Sequence, residues 1–187
     1  MFKRFFDITV SLILGILFLA LLIILWPIVV LSSKGPFLHW SKRVGKDEIL
    51  FSMPKIRTMV MGAPLVATHL LNGSNTTLTP IGGLMRKLSV DEIPQLYSVL
   101  KGDMSLVGPR PALYNQYDLI RLRNKKGISI LRPGLTGWAQ VNGRDELSIE
   151  KKVEYEEEYL FNRSFLFDLK IIWLTILKVL RRDNISH

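Results

Sequence analysis

The chain has 187 residues, 48% of them hydrophobic, and a formal net charge of +9. This length suits one domain with its own core plus an appendage, and the charge attracts polyanions such as anionic lipids or phosphorylated substrates. The absence of cysteine excludes disulfides, thiolate nucleophiles and cysteine-based metal sites. Nucleic acid is not an expected partner, because aromatic residues are not interleaved with the basic residues as stacking platforms would require.

The N-terminal stretch is strongly apolar. Residues 8–31 carry no charge and would rise about 36 Å as a helix, enough to cross a hydrocarbon core of about 30 Å. Basic residues flank the stretch on both sides, which favours keeping both ends on the cytoplasmic side. A re-entrant helix would satisfy this rule, and Pro27 is expected to supply the break that it needs. An ordinary single-pass anchor is the alternative.

The residues after the anchor predict short strands and a long polar loop. A hairpin turn is expected within residues 40–48, with strands at 49–51 and 56–59 and a loop at 62–79. Alternate residues of an extended segment share a face, so Lys55 and Arg57 are expected on one side. A merely solvated strand face is the alternative for this pair.

The stretch 88–96, with the sequence LSVDEIPQL, places the adjacent carboxylates Asp91 and Glu92 just after the cation Arg86. Ser89 and Glu92 match a capping box, or else a helix starts later with Pro94 in its first position. In both cases the carboxylates lie at a helix start, where the dipole favours an ionised carboxylate and also attracts phosphate. The alternative is that both acids only complement the helix end.

Two further loops are rich in proline, glycine and arginine. Arg110 lies between two prolines, which fix its backbone and favour a bidentate grip on a phosphate; a purely structural turn is the alternative. Residues 132–144 contain Arg132 and Arg144 together with three glycines that allow a ligand to approach the backbone closely.

Three helices are predicted in the C-terminal half. The first covers residues 112–126 and ends at Gly127. The second covers 148–160 and presents a mostly solvated charged face that includes Glu156. The third covers 165–182, with an apolar face opposite Asp168 and Thr175, and suits a helix in the plane of the lipid headgroups. Core packing is the alternative for this last helix.

Five segments together resemble the bacterial sugar transferases, also called monotopic phosphoglycosyl transferases. They are, in chain order, residues 3–7 (KRFFD), 54–59 (PKIRTM), 88–96 (LSVDEIPQL), 101–111 (KGDMSLVGPRP) and 132–144 (RPGLTGWAQVNGR). The resemblance covers nearly the whole chain, and five motifs in order are far more specific than one acidic pair.

The resemblance implies an enzyme that moves a phosphosugar from a UDP-sugar to undecaprenyl phosphate and releases UMP, at the first membrane step of polysaccharide or glycoprotein glycan synthesis. It implies that Asp91 attacks the β-phosphate to form an aspartyl-phosphosugar. It also implies a need for Mg²⁺, with Glu92 beside Asp91 as metal ligand or proton carrier. A carboxylate can serve in covalent catalysis, and cations must offset the charge on the transferred group. The residues predicted to bind phosphate are Arg110 first, then Lys55, Arg57, Arg86, Arg132 and Arg144.

The resemblance further implies a small, compact, membrane-associated α/β domain with a re-entrant N-terminal helix and amphipathic interfacial helices. We expect residues 1–33 to form the membrane-inserted helix and residues 34–187 the catalytic domain, at the cytoplasmic face of a bacterial inner membrane. The expected partners are the UDP-sugar, undecaprenyl phosphate and membrane lipids; a homo-oligomer is compatible with the sequence. The alternative is a non-enzymatic membrane-bound adaptor with a basic lipid-binding surface.

Overall fold

The computed structural model describes residues 2–63, 77–143 and 146–181. The helices are α1 (Phe2–Ser32), α2 (Gly82–Lys87), α3 (Gln95–Lys101), α4 (Tyr117–Lys125), α5 (Trp138–Val141), α6 (Ile149–Asn162) and α7 (Phe165–Arg181). The strands are β1 (Leu38–Val44), β2 (Leu50–Ile56), β3 (Ser105–Val107) and β4 (Gly134–Thr136). The fold therefore combines helices and sheets, which confirms the α/β class expected from the sequence.

The described strands form two small sheets. Strands β1 and β2 are an antiparallel hairpin in which His39 lies opposite Lys55 and Arg43 lies opposite Phe51. Residues directly opposite one another share a face, and so do alternate residues of a strand. His39, Arg43 and Lys55 therefore lie on the same face of the hairpin. Strands β3 and β4 pair in parallel.

The separate strand predicted at residues 56–59 is wrong. Strand β2 is one continuous element that ends at Ile56, and Met59 makes only an isolated bridge to Leu78. Strand β2 runs through Pro54, which lies opposite Trp40 in the hairpin. Proline has no backbone N–H, but in a two-stranded sheet both strands are edge strands, where this donor can be missing without the loss of a ladder hydrogen bond. Most of the loop predicted at 62–79 lies outside the described residues.

The hydrophobic core lies where α3, β3 and α7 meet. Val99, Met104 and Ile171 are fully buried there, and Ile128 joins them from the turn after α4. Full burial of such side chains contributes roughly 1.5–3 kcal/mol each, so α7 is a part of the domain rather than a loose appendage. A smaller cluster of Val29, Ile56 and Met85 packs around the end of α1.

Helix α1 is held by the domain at both of its ends. At its start, Arg4 donates to the carbonyl oxygens of Val99 and Leu100, at 2.6 and 2.8 Å. The buried Asp7 accepts the Ser105 hydroxyl at 2.8 Å. At its end, Val29 is fully buried and its carbonyl oxygen accepts a hydrogen bond from Arg57. Both termini of α1 therefore lie against the same domain.

The rest of α1 exposes large apolar side chains. It is the one helix among the described residues that is long and apolar enough to cross a membrane. Ile16, Leu17 and Ile23 are each at least 64% exposed, and such a surface is stable in lipid rather than in water. The helix continues through Pro27 to Ser32, and the break expected at this proline stays a prediction.

Helix α7 runs from Phe165 to Arg181, and the assignment of its faces differs from the prediction. Asp168 is buried and accepts hydrogen bonds from Lys3 and Tyr159, both at 2.6 Å. Thr175 also faces the protein, and the apolar Trp173 is exposed. Asp168 and Thr175 therefore face the domain on the same helix as the buried Ile171, because both find hydrogen-bond partners there.

The two preceding helices also differ from their predicted bounds or faces. Residues 112–116 are not helical, because this segment is joined to strand β1. The Val44 N–H donates to the Ala112 carbonyl oxygen, and Leu113 forms a β-bridge with Arg43. The helix end was predicted correctly: α4 ends at Lys125, and Gly127 takes a left-handed conformation, with φ +69°. On α6, Glu156 is 2% exposed rather than solvated, because it pairs with Arg123 on α4.

Candidate active site

The acidic pair lies in a tight turn rather than in a capping box. Ser89 has a left-handed backbone, with φ +54°, and its side chain makes no capping hydrogen bond. Asp91 and Glu92 follow in a short 3₁₀ turn, and helix α3 begins only at Gln95, directly after Pro94. The predicted capping box is therefore wrong. The observed helix start at Gln95 is one residue later than the alternative prediction, in which Pro94 is the first helical residue. Glu92 points to cations instead of to the backbone.

Glu92 lies between two cations that come from different parts of the chain. Its Oε1 atom is 2.8 Å from Lys55 Nζ and 3.1 Å from Arg110 Nη2. Lys55 reaches it from the hairpin and Arg110 from the loop after β3. The side chains of all three are partly buried, which strengthens their electrostatic interaction relative to a pair in water. The structure thus brings together three of the residues predicted for the site.

Asp91 is adjacent to this pair and is 5% exposed. Its Oδ2 atom lies 3.8 Å from Lys55 Nζ. Burial raises the pKa of the Asp91 carboxyl above its ordinary value, while the charge of Lys55 opposes this rise and that of Glu92 adds to it. Arg86 and Arg110 also favour the ionised form. A desolvated carboxylate held among cations is suited to attack an electrophile that brings its own negative charge.

Arg86 approaches Asp91 from α2. Its Nε atom donates to the Thr58 hydroxyl at 2.9 Å, which fixes the direction of the guanidinium. Burial lowers the pKa of Arg86, and the Asp91 charge acts in the opposite direction. Asp91 therefore has cations on the hairpin side and on the α2 side.

Arg110 owes its position to a buried ion pair as well as to its two prolines. Arg123 on α4 donates to Glu156 on α6 through two nitrogens, at 2.7 and 2.5 Å. The same guanidinium donates to the backbone carbonyl oxygen of Arg110 at 2.9 Å. The buried glutamate on α6 therefore orients Arg123, and Arg123 holds the loop that carries Arg110.

Arg57, another of the predicted phosphate ligands, is engaged at the end of α1. Arg57 is 3% exposed, and its guanidinium donates to backbone carbonyls and a hydroxyl of residues 29–36 at the end of α1. These bonds satisfy the Val29 carbonyl oxygen in the last turn of α1 and the carbonyls of the segment that follows it, so Arg57 fixes the exit of the chain from α1. Arg132 is exposed to solvent. Arg144 lies outside the described residues.

Two residues of β1 join the centre although sequence reasoning did not select them. Arg43 donates to the Ser41 hydroxyl at 3.0 Å and to the Pro111 carbonyl oxygen at 3.1 Å, beside Arg110. Burial and the neighbouring Arg110 lower the pKa of Arg43 to about 10. His39 lies opposite Lys55 in the hairpin, and burial, Arg43 and Lys55 lower its pKa.

The signal for these residues was their spacing, because positions 39, 41 and 43 alternate along one strand face. Among the described residues, no carboxylate lies within salt-bridge distance of Arg43. The cationic side chains that the structure describes around Asp91 and Glu92 therefore outnumber these two carboxylates, and such a partly buried set of cations attracts an anionic ligand.

Magnesium at this centre would be held by few side chains of the described residues. No group of three or more metal-binding side chains occurs among them, and Asp91 and Glu92 are the donors that they provide beside the cations. Magnesium usually binds one or two carboxylates and completes its shell with substrate phosphates and water. The acidic pair fits that pattern.

A cleft opens beside the centre. Its volume is about 480 Å³, and Glu92 and Arg110 lie on its wall together with residues of α1 and α7. The charged groups thus lie next to the helix that is apolar enough to cross a membrane.

Comparison with known proteins places this arrangement in context. A family model described as "Bacterial sugar transferase" matches residues 1–182. The uncharacterized sugar transferase EpsL of Bacillus subtilis is 42% identical over 187 residues, which is 99% of this chain and 90% of that protein.

Two longer relatives carry more specific names. The undecaprenyl-phosphate galactose phosphotransferase of Salmonella typhimurium is 36% identical over 97% of this chain and 41% of that protein. The UDP-glucose:undecaprenyl-phosphate glucose-1-phosphate transferase of Escherichia coli is 39% identical over 94% of this chain and 39% of that protein. The chain therefore spans about two fifths of these two relatives.

Proposed function

The chain belongs to the bacterial sugar transferase family, and from this premise we propose that it transfers a phosphosugar from a UDP-sugar to undecaprenyl phosphate. The observation that carries the proposal is the centre itself. Asp91 and Glu92 lie against Lys55 and Arg110 at the edge of a cleft walled by α1. A nucleoside diphosphate-sugar carries negative charge that can pair with the cations of this centre, and a lipid phosphate can reach it from the bilayer.

In the first proposed step, the Asp91 carboxylate attacks the β-phosphorus of the donor. A bond forms between a carboxylate oxygen and that phosphorus. The bond from the phosphorus to the oxygen that bridges the two phosphates breaks, and UMP leaves with this oxygen. Lys55 and Arg110 offset the charge on the transferred group, and both are already held beside Glu92 by hydrogen bonds.

In the second step, an oxygen of the acceptor phosphate attacks the same phosphorus. The bond to Asp91 breaks, the carboxylate is restored, and the phosphosugar is now part of a lipid diphosphate. The reaction is therefore two successive displacements at one phosphorus with one nucleophilic residue.

Magnesium is proposed as the cofactor, held by Asp91 and Glu92 together with donor phosphates. When bound, it would neutralise negative charge on the diphosphate. Glu92 would then exchange part of its contact with Lys55 and Arg110 for the ion, which leaves these cations to the phosphates.

We propose that α1 and the exposed face of α7 hold the enzyme at the cytoplasmic face of the inner membrane, with both ends of α1 on that side. The support is that Arg4 and Val29, near opposite ends of α1, both contact the same domain. A domain confined to one side of a bilayer can hold both ends only if the helix does not cross.

The test is UMP release by the purified protein with a panel of UDP-sugars, undecaprenyl phosphate and Mg²⁺. We expect release with at least one sugar and loss of release in the variant Asp91→Asn. The matched control is Asp118→Asn, because Asp118 is an exposed aspartate on α4. Full activity of Asp91→Asn would contradict the nucleophile assignment, and no release with any sugar would favour the adaptor.

A further inference from the structure

The cleft beside the centre has two apolar walls that come from helices at opposite ends of the sequence. On α1 its wall includes Leu14, Phe18 and Leu21, which recur at helical spacing along one stripe. On α7 its wall includes Ile172 and Ile176. Its volume of about 480 Å³ falls within the range of about 300–1,000 Å³ that is usual for ligand sites.

Polar groups also line the cleft. Glu92 and Arg110 come from the catalytic centre, Thr136 and Gln140 from β4 and α5, and Thr175 and Lys178 from α7. The Oε1 atom of Gln140 is buried and has no hydrogen-bond partner among the described residues. The cleft thus combines apolar walls with polar groups that include the cation Arg110 of the catalytic centre, which is the profile of a site for an amphiphile with an anionic head.

The outer surfaces of both walls are apolar as well. Leu17 on α1 and Leu166 on α7 are 66% and 76% exposed, so the cleft lies between two helices that face lipid in the proposed orientation. An empty apolar gap between them would forfeit packing contacts along both helices. A hydrocarbon chain entering from the bilayer would restore these contacts.

We propose that the cleft between α1 and α7 binds the isoprenoid tail of the acceptor and guides its phosphate to Arg110 and the Asp91 adduct. The proposal rests on the proposed function of the Asp91 centre. It adds that acceptor recognition includes the tail, by contact with Leu21 on α1 and Ile176 on α7. The donor half-reaction makes no use of this channel.

The first experiment fills the channel from each wall. Leu21→Trp and Ile176→Trp place a larger side chain in the cleft, whereas Leu17→Trp and Leu166→Trp add the same group to the exposed outer faces. All four variants stay apolar, so membrane association is preserved. We expect all four to form the donor adduct at the wild-type rate. Transfer from the adduct to undecaprenyl phosphate should slow at least tenfold only in Leu21→Trp and Ile176→Trp.

Equal transfer rates in lining and outer-face variants would overturn the proposal. If the wild type forms no adduct and releases no UMP, the proposed function fails instead, which separates the two failures.

The second experiment uses the unaltered protein and a prenyl phosphate that carries a diazirine on its tail. We expect photolabelling of residues 14–21 of α1 and 172–179 of α7, abolished by excess undecaprenyl phosphate but not by phospholipid. Labels that phospholipid displaces equally well would show an ordinary acyl chain in the cleft and would overturn the proposal, as would labels confined to the outer faces. This result does not depend on whether any variant folds.

Discussion

Some residues of the centre contact the acidic pair, and others hold those residues in place. Lys55 and Arg110 contact Glu92 directly, whereas Arg123 acts on the backbone of Arg110. We expect Arg43 to contact the donor as well, because it is half-buried beside Arg110 and no carboxylate of the described residues lies within salt-bridge distance of it. A partly desolvated cation without an ion-pair partner is unfavourable, and a bound diphosphate would supply the missing partner.

The substitution Arg43→Gln tests this interpretation. The loss of one charge-assisted contact of about 1.5–3 kcal/mol should weaken donor binding roughly 10- to 150-fold, measured as the dissociation constant of UDP. Lys42→Gln is the matched control, because Lys42 is the adjacent residue and is exposed on the other strand face. Equal UDP affinity in the two variants would remove Arg43 from the donor site.

The sequence identified the acidic pair and three of its cations, Lys55, Arg86 and Arg110, because their motifs are local and specific. It also grouped Arg57 with Lys55, since both fall on alternate positions of one extended segment. The structure separates them: β2 ends at Ile56, and Arg57 turns to the carbonyls at the end of α1. Arg43 escaped notice because its proximity to Arg110 depends on a contact between distant segments.

Among the elements, α4 and α6 act as a brace for the loop of Arg110. Their buried pair, Arg123 and Glu156, is bidentate. The sequence pattern of α6 could not reveal it, because Glu156 lies among other glutamates in a charged run. Its burial follows only from the position of α4. The burial of Asp168 on α7 could not be predicted for the same reason. Its partner Lys3 is far from it in sequence, and its partner Tyr159 lies on another helix, α6.

The variant Glu156→Gln should destabilise the protein by about 3–5 kcal/mol, because it leaves the Arg123 charge buried and uncompensated. It should also lower the rate of UMP release at temperatures where the protein remains folded, since Arg110 loses a fixed support. The measurements are the midpoint of thermal unfolding in detergent and the initial rate well below that midpoint.

A matched control joins the same two helices. Lys126 and Glu157 form an exposed pair at 2.9 Å, and exposed pairs contribute about 0–1 kcal/mol. Lys126→Gln should therefore change neither the midpoint nor the rate appreciably. Similar losses in both variants would show that the buried pair is no more than a generic link between α4 and α6.

At the scale of the whole molecule, the membrane helix is also a structural member of the domain. Its first turns bind α3 and β3, and its last turn packs on Ile56 and Met85. The length and apolar character of α1 were evident from the sequence. Its contacts at both ends were not, because they join Arg4 and Asp7 to residues about 95 or more positions away.

The topology can be tested by single-cysteine labelling, since the chain has no native cysteine. The substitutions Phe2→Cys and Lys34→Cys place a thiol at each end of α1, at positions that are exposed. In inside-out membrane vesicles, we expect an impermeant maleimide to label both. In intact spheroplasts it should label neither. Labelling of the two positions from opposite sides would establish a single-pass anchor.

The central claim is that Asp91 carries the phosphosugar between the two half-reactions, and intact-mass spectrometry of the protein incubated with donor alone tests it most directly. We expect a mass increase equal to one phosphosugar in the wild type and in Asp118→Asn, reversed by undecaprenyl phosphate, and no increase in Asp91→Asn. A protein that releases UMP with the acceptor present but never gains this mass, or an Asp91→Asn variant that still gains it, would contradict the account.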